Sequence, residues 1–361
     1  MHGDERTDLF LDLTPERVLA AVEAGGLETN PVCYPLNSYE NRVYEVELVD
    51  RSRVVAKFYR PGRWDEDQLR EEHAYMEALR AAEVPICPLR RFPDGDTLRM
   101  TDTDIWYCLY PRFGGRAPEE LSPELAERLG MLLGRLHNAG AALDPPTKSR
   151  RRLDADSFGW TSLDVLEEAR CVPEDLHEPY FDIASRLIEL ADDRLRGVEY
   201  SLVHGDFHMG NLLKREEVVH VLDFDDCTLA PPVQDFWLVL PGRGEDAELL
   251  LKRMISGYEQ FRKFDRSTLH LIEPLRGLRM IHYAAWLARR WHDPVFPKTW
   301  PQFTTQEWWR SELDGLRECV EYAIAAVTPE PKTVEDGEES EGDENGEPEL
   351  TNKDYFWDWE G

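Results

Sequence analysis

LVHGDFHMGNLL, residues 202–213, is the stretch that decides how this chain is read. Two apolar, strand-like residues, Leu202 and Val203, deliver a polar loop from His204 to Asn211, and apolar residues resume at Leu212 and Leu213. Inside the loop a carboxylate, Asp206, and a carboxamide, Asn211, are separated by four residues. A second β-like run, Val218 to Leu222, ends on another carboxylate, Asp223, in HVLDFDD. Groups of this kind can serve the transfer of a phosphoryl group. A carboxylate can hold and deprotonate an acceptor hydroxyl. Magnesium on the phosphates takes hard oxygen ligands such as an Asn carbonyl and a carboxylate.

The neighbours of these residues carry weaker signals. His204 reads as a packing and hydrogen-bonding residue of the loop. His208 has no second His or Cys at ligand spacing, which argues against zinc. Asp225 and Asp226 either bind metal or cap the following turn, and the turn is favoured for at least one. Asp235, in PPVQDFWLVL, is expected to pin the loop or cap a helix. Lys57 lies within the β-run VVAKFY, where an unpaired ammonium facing a core is costly, so it needs an acidic partner or a phosphate. The following helix offers Glu71 and Glu72. Glu72 fits better, because Met76 and Leu79 turn its face toward the sheet; two solvated acids are the alternative. No G-x-G-x-x-G precedes Lys57. The chain instead reads LNSYENRVY at 36–44, where Asn37, Ser38 and Asn41 could approach phosphates. Ile105 to Arg112 supplies the last strand and a hinge whose backbone would read an adenine.

Working outward, Thr14, Pro15 and Gly25-Gly26 delimit a first helix at Thr14 to Ala24. Strands are expected at Arg42 to Val49, Arg53 to Tyr59, Thr97 to Met100 and Ile105 to Pro111, with a helix at Trp64 to Ala82 between them. Ser122 caps a further helix that Gly140 follows. Helices continue at Asp182 to Arg196, Asp246 to Phe261, Leu271 to Trp291 and Thr305 to Val327. Leu202-Val203 and Val218 to Leu222 make one short two-stranded pattern. This is an α+β chain with a sheet-rich front and a helix-rich back, hinged near Tyr110 to Gly115. The expected division is 1–110, 111–328 and an acidic, disordered tail at 329–361, where acids face only Lys332 and Lys353. Trp300, Trp308 and Trp309 are expected in the core.

The 361 residues are 42% apolar and carry a formal charge of -30, which allows a sizeable core and repels nucleic acid and anionic membranes. The six cysteines fall at no metal-ligand spacing and read as reduced cytosolic thiols. The start, MHGDERTDLF, has acids where a signal peptide has bases. No stretch approaches the roughly 20 apolar residues of a membrane span. From these features a soluble, cytoplasmic protein with neither nucleic-acid nor membrane partners is expected; a monomer is expected as well.

The D-x-x-x-x-N spacing of Asp206 and Asn211 matches the catalytic loop of protein kinases, Lys57 matches the lysine of their V-A-I-K strand, and Asp223 stands where their D-F-G aspartate binds metal, although here the string is Asp-Phe-Asp. LNSYENRVYEVE, VVAKFYRPGRWDEDQLREEHAY, FGGR, LGRLHNAG, HGDFHMGNLL and LDFDDCTLAPPVQDFWLVL extend the likeness from Leu36 to Leu240. On these motifs the chain resembles the aminoglycoside phosphotransferase and choline kinase superfamily and, within it, the stress response kinase A family. The resemblance implies a bilobal protein-kinase-like fold, with a small N-terminal sheet lobe and a larger, mainly helical C-terminal lobe. It implies ATP- and Mg²⁺-dependent phosphorylation of Ser and Thr in protein substrates, with autophosphorylation, in a stress response. By motif, Asp206 is the proton acceptor, Asn211 and Asp223 are the magnesium ligands, and Ser38 contacts ATP. Lys57 and Glu72 are the phosphate-positioning ion pair. Two other functions fit the fold: a small-molecule kinase acting on an amino alcohol, amino acid or aminoglycoside, and a pseudokinase scaffold. The intact Asp206, Asn211, Asp223 and Lys57 argue against the scaffold.

Overall fold

Thr14 accepts a hydrogen bond from the Arg17 N–H and opens α1 (Pro15–Ala24), with Pro15 in its first turn. The computed structural model describes residues 10, 12–144 and 146–326, so the expected acidic tail lies outside the described residues. After α1 come β1 (Thr29–Leu36), β2 (Arg42–Leu48) and β3 (Arg53–Phe58), then α2 (Glu66–Ala81), β4 (Arg99–Met100) and β5 (Trp106–Pro111). The strands form one antiparallel sheet in the order β1-β2-β3-β5-β4. The sequence did not signal β1. It carries Pro31 and Pro35, which no central strand tolerates, and it sits at the sheet edge. Val46, Val54, Ala56, Phe58 and Leu109 bury one sheet face together with Val18 and Val22 of α1.

The α2 helix starts with a reciprocal cap. Asp65 accepts from the Gln68 N–H, and the Gln68 side chain accepts from the Asp65 N–H. Its buried residues, Leu69, Glu72, His73, Tyr75, Met76 and Leu79, include two polar groups whose roles belong to the site. Ser122 caps α3 (Pro123–Ala141) as its sequence predicts. Next come α4 (Thr161–Ala169) and α5 (Glu174–Leu195). The α5 helix starts before the expected Asp182 and tolerates Pro179 within its second turn.

Four short strands follow: β6 (Ser201–Val203), β7 (Leu212–Arg215), β8 (Val218–Val221) and β9 (Thr228–Ala230). The expected pairing of Leu202-Val203 with residues 218–222 is not formed. β6 pairs with β9, and β7 pairs with β8. Gly140 does not follow α3; it lies inside the helix. A Cβ there would stand 2.6 Å from the Leu202 carbonyl, so the glycine lets β6 lie against the helix. The chain ends its described part with α6 (Gln234–Trp237), α7 (Glu245–Tyr258), α8 (Ile272–Arg290), α9 (Val295–Thr299) and α10 (Gln306–Ala325). Pro274 falls in the first turn of α8, where its missing N–H has no helical partner to lose.

The chain forms two compact units. The first, residues 1–153 with 199–264, holds the five-stranded sheet, both two-stranded pairs and α1, α2, α3, α6 and α7. The second, described over residues 154–198 and 265–326, is helical, and buries Leu187, Ile188, Leu278, Ile281, Trp309 and Leu316. Trp308 and Trp309 are both buried there. The boundary read near residue 110 falls inside the first unit. The fold is α+β, with an N-terminal sheet and a helical C-terminal part.

In the first unit α3 and α7 cross at backbone distance. A Cβ on Gly130 would stand 1.9 Å from the Met254 carbonyl, and one on Gly257 would stand 2.0 Å from the Glu127 carbonyl. Alanine in an open helix would add up to about 1 kcal/mol of helix stability over glycine. Here Gly130→Ala should instead lower unfolding stability by about 1–3 kcal/mol, because the helices must separate. Urea denaturation checks the sign; a midpoint at or above the parent's would contradict the close crossing.

Candidate active site

The β7–β8 hairpin brings the metal-type oxygens together. Leu212 faces Val221 across the ladder, and one residue further the Leu222 N–H donates to the Asn211 carbonyl at 2.9 Å. Asn211 and Asp223 therefore leave the hairpin side by side. Asp223 adopts φ +56°, a left-handed conformation that costs a non-glycine residue about 1–2 kcal/mol. Its side chain is half exposed.

The loop before the hairpin is held from several directions. Asp235 is fully buried, and its two oxygens accept the His204 and Gly205 N–H groups, each at 2.8 Å. His137 Nε2 lies 3.0 Å from the same carboxylate, while its Nδ1 lies 3.0 Å from the Tyr258 hydroxyl. Asp235 thus pins the loop, as its sequence position suggested. The His204 ring accepts the Asp206 N–H on Nδ1 at 3.3 Å and donates from Nε2 to the Leu222 carbonyl at 2.9 Å. It ties the loop to the end of β8 and takes no place among the reacting groups.

Asp206 emerges from this frame with its carboxylate oriented. Asn211 Nδ2 donates to the Asp206 carbonyl at 3.0 Å and to its Oδ2 at 3.2 Å. His208 Nδ1 accepts the Gly210 N–H at 3.0 Å, so the proton sits on Nε2, which lies 3.3 Å from Asp206 Oδ2. His208 is thus an orienting partner of Asp206, a role that its sequence context did not reveal. With Nδ2 engaged, the Asn211 Oδ1 remains available as a ligand. Asp223 accepts a hydrogen bond through Oδ1 alone among the described residues. The pair offers a carboxamide and a carboxylate oxygen, which suits a hard divalent cation.

Lys57 is buried on β3, and its Nζ donates to Asp223 Oδ1 at 2.8 Å and to Asp225 Oδ1. The expected Lys57–Glu72 ion pair is absent. Glu72 Oε1 accepts the Tyr59 hydroxyl at 3.2 Å, and Oε2 has no partner among the described residues. The reason is burial beside a like charge. Burial and then the neighbouring Asp225 push the Glu72 carboxyl up to about 8, against the pull of Lys57. Burial alone would push the Lys57 ammonium down, but Asp223 and Asp225 hold it well above its ordinary value. Desolvation opposes ionisation of Asp223, yet Lys57 keeps it below the usual carboxylate range. Burial raises Asp225 above that range against the pull of Lys57 and Arg63.

The remaining candidates separate. Glu71 accepts the backbone N–H groups of Lys148, Ser149 and Arg150 at 2.9–3.0 Å and so anchors that segment. Ser38 is half-buried in the turn between β1 and β2 and makes no hydrogen bond to Lys57, Asp206, Asn211 or Asp223. Asn41 does not face that turn's open side. It is buried, bonds Asp225 through Nδ2, and accepts the Arg60 N–H at 3.2 Å. Asp226 pairs with Arg63 at 2.5 Å. Arg150 bonds the carbonyl oxygens of Cys227, at 2.8 Å, and Asp225, and its guanidinium lies 4.3 Å from the Trp64 ring. Arg63 and Arg150 had no motif to mark them, since only the folded charge balance gives them a role.

A profile of the phosphotransferase enzyme family, APH, matches residues 33–272. The stress response kinase A of Salmonella paratyphi A is 36% identical over 304 residues, covering 84% of this chain and 91% of that protein. This chain belongs to the stress response kinase A family of APH phosphotransferases. Within that family, the Escherichia coli K12 stress response kinase A is 35% identical over 305 residues, 83% of this chain and 90% of the relative. A Salmonella typhimurium relative at 36% identity, covering 84% of this chain and 91% of its own, is named serine/threonine protein kinase RdoA. Among solved structures, amicoumacin kinase hAmiN superposes with a TM-score of 0.64 at 18% identity, covering 82% of this chain and 93% of its own. Spectinomycin phosphotransferase APH(9)-Ia does so at 0.62 and 14%, covering 86% and 97%. These two likenesses are of fold. The protein is a kinase-type phosphotransferase.

The raised carboxyl of Glu72 has a measurable consequence. The unfolded chain releases this proton near 4.5, whereas the folded chain keeps it to about 8. The folded state binds the extra proton over that window, so this group's contribution to stability declines as pH rises through it. Glu72→Gln carries no proton to lose. Its thermal midpoint relative to the parent should rise steadily from about pH 5 to about pH 8. Parallel curves for the two proteins would mean that Glu72 is ionised in the fold.

Proposed function

We propose that this chain is an ATP- and magnesium-dependent kinase that phosphorylates Ser and Thr hydroxyls of proteins, including its own, within a stress response. The observation that carries the proposal is the joining of two bonded pairs, Asp206 with Asn211 and Asp223 with Lys57, by one hairpin. In this reading Asp206, held by His208 and Asn211, orients the acceptor hydroxyl and takes its proton. Lys57 contacts the nucleotide phosphates from the floor of the sheet, and Ser38 contacts them from the β1–β2 turn. Asn211 Oδ1 and Asp223 hold a magnesium ion, whose charge offsets that of the phosphates.

Several findings support the finer points. One relative's name specifies a serine/threonine protein kinase, and the match spans most of both chains. The solved amicoumacin kinase is in complex with AMP-PNP and Ca²⁺. No helix among the described residues is long and apolar enough to cross a membrane, and the six cysteines are free thiols. Both agree with the proposed cytoplasmic site of action. A monomeric state and the sheet-to-helix lobe boundary near residue 110 belong to the same proposal.

Transfer from γ-labelled ATP with Mg²⁺ tests the reading, using a generic protein acceptor in one arm and amino alcohols, amino acids and aminoglycosides in others. Label should appear on Ser or Thr of protein. Asp206→Ala should reduce transfer by roughly 10²–10⁴-fold while nucleotide still binds. Label on a small molecule alone would make the chain a metabolite kinase. Full turnover by Asp206→Ala would overturn the catalytic assignment.

A further inference from the structure

We infer that Asp225, rather than Glu72, is the residue that positions Lys57 for the nucleotide phosphates, and that Asn41 extends this hold to the β1–β2 turn. The inference rests on the reading of Lys57 as a phosphate contact. Lys57 Nζ touches two carboxylates of different character. Asp223 is half exposed and shares its oxygens with a cation in the proposed reaction, so its grip on the lysine is exchangeable. Asp225 is 2% exposed and stays in place. Its two oxygens divide their work. Oδ1 takes Lys57, while Oδ2 takes Asn41 Nδ2 and lies 3.9 Å from Arg63 Nη1. Its backbone carbonyl is held by Arg150. A carboxylate fixed at both oxygens and at its carbonyl has one orientation to offer, so the ammonium it holds also has one position.

Asn41 makes the arrangement more than a local ion pair. Its Oδ1 accepts the N–H of Arg60, two residues past the end of β3, while its backbone leads directly into β2. The strand of the lysine, the end of the Ser38 turn and the segment after Asp223 therefore meet at Asp225. Glu72 lies on the helix that faces this strand, but it spends its one hydrogen bond on the Tyr59 hydroxyl. Stability alone gives no reason to keep a buried ammonium here, since apolar replacements of buried ion pairs are often neutral or stabilising. A lysine that must reach phosphates while staying in register does need such an anchor.

A double-mutant cycle on transfer activity tests this, with Lys57→Met, Asp225→Asn and the two combined. Asp225→Asn alone should cost at least roughly 30-fold in kcat/KM for ATP, as truncation of a buried charge pair does. Its KM for the acceptor should stay within about twofold, because the lysine does not touch the acceptor. Placed on Lys57→Met, the same substitution should cost less than about threefold further, since no lysine remains to be positioned. Losses that multiply in the double variant would overturn the proposal and leave Asp225 a structural residue. Coupling of Lys57→Met to Glu72→Gln, with none to Asp225→Asn, would restore the helix acid as the anchor. Parent activity in Lys57→Met would overturn the underlying phosphate reading, and the anchor with it. Should Asp225→Asn fail to fold, Asn41→Ala removes one donor to Asp225 without removing charge. Its loss must then vanish in the Lys57→Met background, and persistence there would overturn the proposal.

Discussion

A buried ammonium sets the terms for the site. Lys57 lies on the inner part of a strand, and removing its charge from water is tolerable only if opposite charge and hydrogen bonds come with it. Asp223 and Asp225 supply both. Their presence then determines what the neighbours can be. Arg63 joins the cluster to offset the second and third acids, pairing with Asp226 and lying near Asp225. Glu72 is buried beside Asp225, and burial first and that charge second push its carboxyl up to about 8. An acid that a sequence reading pairs with the lysine thus accepts the Tyr59 hydroxyl instead, with burial favouring its protonated form.

The opposite flank depends on hydrogen bonds rather than charge pairs. Asp235 turns two buried N–H groups into a fixed loop entry, and His204 joins that loop to the hairpin end. Each bond satisfies a group that would be costly to bury alone. The outcome is that Asp206 presents a carboxylate oriented by Asn211 and His208. Orientation of this kind is what phosphoryl transfer asks of a protein, since positioning and electrostatics supply most of its catalysis. The family to which the chain belongs carries out that chemistry on this fold.

Much of this was legible in the chain alone. The caps at Thr14 and Ser122, the strands around Lys57 and the loop and hairpin bearing Asp206, Asn211 and Asp223 all have short-range signatures: a capping side chain, a run of β-branched residues, a fixed spacing. β1 escaped because its two prolines argue against a strand unless its edge position is known. Gly140 was misread as a helix stop because a glycine at a helix end and one that admits a neighbouring strand look alike in sequence. The pairing of residues 202–203 with 218–222 was misread because strand partners are chosen in three dimensions, and β9 had only three residues to announce itself.

The sequence by itself determined the α+β order of elements, the family and the identity of the acid, amide and lysine, because each is a property of neighbouring residues or fixed spacing. Only the tertiary structure decided their partners. Residues 41, 57, 63, 150 and 225 are far apart along the chain, yet they share one buried volume. In that volume Asp225 displaced Glu72 as the partner of Lys57, since the energy of a buried charge depends on every other charge within a few ångströms, and no spacing in the chain encodes that sum.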